Sequence, residues 1–84
     1  MTGHRTVVIR RVTLRHSNPE PVMVREIVLW QRTDVVYQIA ITTHAEDEPG
    51  KATINDYQVG PTRAEAIAAF EEAVADSRRE GFSG

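Results

Sequence analysis

The sequence predicts an α+β domain, an antiparallel four-stranded sheet followed by one C-terminal amphipathic helix packed on one sheet face. Three observations predict it. Val and Ile together number 16 against two Leu, and all of them except Ile67 and Val74 lie between residues 7 and 59, a distribution that favours strands there. After residue 60 the composition turns to Ala, Glu and Arg with apolar residues at helical spacing. The turn residues at 17–21, Thr33-Asp34 and the loop at 45–50 then cut the first part into four segments of strand length.

The first strand is expected at about Thr6 to His16. Its apolar residues are Val7 and Ile9, then Val12 and Leu14, so the period of two changes phase across Arg10 and Arg11. One extra residue in a β-bulge restores the phase and leaves Arg11, Thr13 and Arg15 on a shared face. Ser17-Asn18-Pro19-Glu20-Pro21 is a turn, since neither proline can donate to a ladder. Val22 to Arg32 is apolar on both alternating faces and rich in β-branched residues, which favours a strand buried on both sides. Thr33-Asp34 is a second turn. From Val35 to Thr42 the alternation of Val35, Tyr37, Ile39 and Ile41 with their neighbours marks the clearest half-buried strand. Residues 45–50 form an acidic loop, expected to be mobile, ending in Pro49-Gly50. The fourth strand spans about Lys51 to Val59, with Asn55-Asp56 as a candidate bulge or turn.

Thr62 and Glu65 form a capping box after Pro61, so helix should start at Arg63. Ala66, Ile67, Phe70, Ala73, Val74 and Ser77 fall on one stripe, the face to be laid on the sheet. Arg78 and Arg79 suit the negative end of the helix, and Gly81 can take a left-handed conformation that folds Phe82 back. Residues 1–5 and 83–84 are expected to fray.

Eighty-four residues make one domain, 1–84, with 40% hydrophobic and 26% charged residues, an ordinary globular balance. No cysteine is present, which excludes disulfides, thiolate metal sites and a cysteine nucleophile. The longest apolar runs are three or four residues, too short to cross a membrane, and a cytoplasmic location is expected. The net charge of -2 is unevenly spread. Residues 1–32 carry six Arg against two acids, and residues 33–84 carry ten acids against four basic residues. Arg outnumbers Lys nine to one, a bias that GC-rich coding alone can produce.

The residues offer little catalytic chemistry. His4 and His16 lie too far apart on one strand to share a metal, and His44 with His16 is separated by an intervening strand. His44, Glu46, Asp47 and Glu48 lack the spacing of a calcium loop, and no serine or glycine pattern supports a nucleophile or phosphate cradle. The expectation is a non-catalytic protein without metal or cofactor. From Val28 to Phe82, the order of aromatic strand (Tyr37-Gln38-Ile39), loop, capped Ala-rich helix (Ala64-Glu65-Ala66-Ile67-Ala68-Ala69-Phe70) and Gly81-Phe82 loosely resembles a WGR domain, a small nucleic-acid-associated module. The Trp-Gly-Arg of that family is missing, because Trp30-Gln31-Arg32 precedes the Tyr strand, and the chain is not assigned to it.

One helix covers one sheet face, so the other is left over. In the second segment Val22, Val24, Val28 and Trp30 project to one side and Met23, Ile27 and Leu29 to the other. Soluble monomers rarely expose four such side chains together, so the expected function is a small protein-interaction or regulatory module that self-associates as a homodimer through Val22, Val24, Val28 and Trp30. The alternative is single-stranded nucleic-acid binding through an Arg-rich face of Arg11, Arg15, Arg25 and Arg32 with aromatic stacking. A sequence pI of about 5.9 runs against that alternative.

Overall fold

A computed structural model describes residues 6–16, 20–32 and 36–84. It contains β1 (Thr6–His16), β2 (Met23–Arg32), β3 (Val36–Ala45), a short 3-10 turn at Pro49–Lys51, β4 (Thr53–Val59) and α1 (Arg63–Arg79). The strands form one antiparallel sheet in the order β1-β2-β3-β4, and α1 packs across it. This is the expected α+β architecture. The first five residues and the turns at Ser17-Asn18-Pro19 and Thr33-Asp34 lie outside the described residues.

The phase change in β1 is resolved by a bulge, as the alternation demanded, placed just before Arg10 and not at Arg10-Arg11. Val8 pairs with Trp30 and Arg10 with Leu29, so Ile9 is the extra residue, and past it Val12 and Leu14 return to the helix side. The expected irregularity at Asn55-Asp56 does not occur. Asn55 pairs with Ile41 and Asp56 with Ala40 in an unbroken register, because a strand locked to β3 along its whole length leaves no room for a slip.

The core lies between sheet and helix. Leu14, Ile27, Leu29 and Ile39 are fully buried there, and Ala66, Phe70 and Ala73 meet them from α1 with Ile67 and Val74 at the margin. Gly60 lets the first helical turn approach closely, since a Cβ at that position would stand 2.6 Å from the Glu65 Cβ. The Thr62 hydroxyl accepts the Glu65 amide at 3.2 Å, as a helix cap requires. The Glu65 carboxylate, instead of reaching the Thr62 amide, accepts the Thr62 hydroxyl at 2.8 Å.

The helix ends in a Schellman arrangement. The Gly81 amide donates to the Arg78 carbonyl and the Phe82 amide to the Ser77 carbonyl, both at 3.0 Å, with Gly81 at φ 109°. Phe82 is thereby turned back and buried. The ring lies under the Arg25 guanidinium, 4.2 Å from the ring centroid, and meets the edge of His16 at 5.3 Å. Ser83 then exchanges two backbone hydrogen bonds with Arg15, of 2.7 and 2.8 Å, and caps part of the β1 edge. Where fraying was expected at 83–84, Ser83 is held by that pairing, because the backward turn at Gly81 delivers it to an open ladder.

Candidate functional site

Alternation divides the sheet into a face under α1 and a face turned away from it. On the open face the strand pairings set up transverse rows. Val8, Trp30, Gln38 and Gln58 form one row, Arg11, Val28, Ala40 and Asp56 the next, and Thr13, Glu26, Thr42 and Ile54 the third. Arg15, Val24 and His44 follow toward one end, and Arg32 with Val36 lies at the other. No described element packs over these rows. Val8 is 49% and Ile54 66% exposed, while Val24, Val28, Trp30, Val36 and Ala40 are only half-buried, each shielded by its neighbours on the sheet.

The expected self-association residues fall on this face with one qualification. Val24, Val28 and Trp30 stand on it, whereas Val22 precedes β2 and sits at the rim. Its carbonyl accepts the Glu46 amide at 2.8 Å, and with Glu20, Pro21, Glu46 and Asp47 it lines a shallow cleft. The structure adds Val8, Val36, Ala40 and Ile54 to the same face, which the alternation in β1, β3 and β4 could have supplied once the pairing was fixed.

The four arginines do not form one surface. Arg11, Arg15 and Arg32 are exposed and share the open face, but Arg25 lies on the helix face in register with Leu14 and Thr43. Its guanidinium donates to Thr43 Oγ1 at 2.9 Å, to Ser77 Oγ at 3.1 Å and to Glu80 at 3.3 Å, and its side chain is 17% exposed. That placement removes Arg25 from any nucleic-acid face, because its charge is already neutralised and hydrogen-bonded inside the fold. Of the remaining three, Arg11 pairs with Glu26 at 3.6 Å and Arg15 with Glu46. The Arg25–Phe82 contact escaped the sequence reading. Its signal was parity, since Arg25 stands two and four residues before Ile27 and Leu29 on the same side of β2 and so had to point at the helix.

The histidines stand apart as well. His16 is on the helix face against Phe82, and His44 is on the open face with Nδ1 2.8 Å from the Ala45 carbonyl oxygen. Among the described residues no group of three or more His, Asp or Glu side chains could hold a metal ion. The Tyr57 phenol, beside Glu72 and Asp76 in a shallow cleft, is pushed above its ordinary value, first by partial burial and then by those two carboxylates. No helix of the described residues is long and apolar enough to cross a membrane. No protein-family model matches the chain, and no curated protein or solved structure is significantly similar to it.

Proposed function

We propose that this protein is a small non-catalytic interaction module of the cytoplasm that self-associates through the open face of its sheet. The observation that carries the reading is the contiguity of Val8, Trp30, Val28 and Ala40, with Val24 beyond the Glu26 row, on a face that no part of the described chain covers. Three strands of 10 or 11 residues and one of 7, spaced about 4.8 Å apart, present a face of at most about 20 by 30 Å. Pairing two such faces removes roughly 1,200 Å² from water, the lower bound of a specific interface. The gain is apolar, so association should persist or strengthen with salt.

Val28→Glu tests it. The charge stands in the middle row of the face beside Arg11, and burying it in the interface costs association because desolvation outweighs what that neighbouring arginine returns. Because Ile27 and Leu29 under the helix are untouched, the variant should be a folded monomer by sedimentation mass and circular dichroism. A wild type that is monomeric at high concentration, or a Val28→Glu variant that dimerises as before, overturns the proposal. Arg11 and Arg32 flanking Trp30, with Arg15 farther along the same face, support the second reading, single-stranded nucleic-acid binding, which would be recognised by affinity falling steeply with salt. The ion pairs of Arg11 and Arg15 weigh against it.

A further inference from the structure

Resting on the self-association proposed above, the distribution of charge over the open face selects how two copies must face each other. Arg11, Val28, Ala40 and Asp56 form one continuous row across all four strands. On this face β1 bears Arg11 and Arg15, β4 bears Asp56 alone, and β3 bears no carboxylate or arginine. On β2, Glu26 and Arg32 offset each other, so the face is a dipole across the strands, positive at the β1 side and negative at the β4 side. Asp56 makes no ion pair among the described residues, whereas Arg11 is held only by an exposed contact with Glu26 at 3.6 Å.

Two stacked sheets can be related by a two-fold axis running along the strands or across them. An axis across the strands lays β1 on β1 and β4 on β4. It sets Arg11 against Arg11, Asp56 against Asp56, and Glu26 against Trp30. An axis along the strands lays β1 on β4 and β2 on β3. It sets Arg11 against Asp56, Val28 against the small Ala40, Glu26 against Thr42, and Thr13 against Ile54. Like charges brought face to face cost association, and opposite charges at a rim steer it.

We propose that two copies of this chain stack open face to open face about a two-fold axis parallel to the strands, with Arg11 of each subunit paired to Asp56 of the other. The twist of stacked sheets, about 30°, displaces residues roughly 7 Å from the axis by about 4 Å along the strand, within the reach of an arginine. Two symmetry-equivalent pairs form per dimer, so any substitution acts twice.

The test is a charge swap. Arg11→Asp and Asp56→Arg are made singly and together, in a Glu26→Gln background so that the contact within the subunit does not confound the result. The dimer dissociation constant is read by sedimentation, and circular dichroism monitors folding. Each single reversal should weaken the dimer about tenfold at low salt, and the double variant should return to within a few-fold of its parent. A double variant as weak as the two singles combined overturns the axis while a dimeric wild type leaves the self-association reading standing. A single reversal that leaves the dimer as tight as its parent points to the crosswise axis, where each residue faces its own copy and a reversed charge still meets its like, and overturns the proposal equally. A wild type and variants that are all monomeric overturn both the axis and the reading beneath it.

Discussion

Replacing Phe82 by Ala should destabilise the domain by about 3 kcal/mol, although Phe82 lies beyond the last helical residue. The ring is 6% exposed, and deleting a buried Phe in a core costs about 3–5 kcal/mol. The Arg25 guanidinium over the ring adds roughly 0.5–1 kcal/mol. Against this, Arg25 keeps its bonds to Thr43, Ser77 and Glu80 when the ring is removed, so no buried charge is orphaned. The tail can also swing away from the site, which caps the penalty at the free energy of docking it. The lower end of the range therefore applies. For a chain of this size total stability is of order 4–13 kcal/mol, and each kcal/mol lowers the thermal midpoint by roughly 4–8 °C, so the expected fall is about 12–24 °C. Thermal and urea unfolding followed by circular dichroism measure it, with Phe82→Leu as the companion that keeps most of the apolar burial and should lose only about 1 kcal/mol. An unchanged midpoint for Phe82→Ala would refute the reasoning, because it would mean that the residues after Gly81 contribute nothing to the fold.

The remaining predictions follow from local geometry. Thr62→Ala removes the acceptor of the Glu65 amide and should lower stability by ~1 kcal/mol, read as a shift of the urea midpoint with unchanged slope. Phe70→Ala, at the centre of the helix face, should cost roughly 3–5 kcal/mol and leave a substantial unfolded fraction at room temperature, visible as lost near-ultraviolet circular dichroism. The Tyr57 phenol is raised above its ordinary value of 10.0, so its contribution to stability is complete below that pH and is lost as pH rises through the higher folded value. Tyr57→Phe should flatten that alkaline loss in a series of urea titrations, and an alkaline slope unchanged by the substitution would assign the effect to other groups.

Much of this fold was legible in the residues because β-branched alternation and helix capping are local signals. The phase change between Ile9 and Val12 forced a bulge, and the structure places it at Ile9. The spacing Ala66, Phe70, Ala73 and Ser77 identified the buried stripe of α1. The split of β2 into Ile27 with Leu29 and Val28 with Trp30 is also realised, the first pair inside and the second on the open face. Less legible was anything that depended on partners remote in sequence. Parity put Arg25 on the helix side of β2, but nothing local to it announces its partners Thr43, Ser77, Glu80 and Phe82. Asn55 and Asp56 looked like a break because their intrinsic preference is for turns, yet pairing along β3 overrides that preference. Ser83 carries no sequence signal for its pairing with Arg15.

The nearest-neighbour order of the strands has a kinetic consequence. Each strand pairs with the one that precedes it, so all three hairpins can close over short loops without waiting for distant segments, and such topologies fold quickly. Among the strand pairings of the described residues the exception is the bridge between Arg15 and Ser83, which joins residues nearly a whole chain apart. Loop-closure entropy makes that contact late. Interactions absent from the folding transition state act on escape from the native state alone, so weakening the Phe82–Ser83 latch should accelerate unfolding and leave the refolding arm of the chevron where it was.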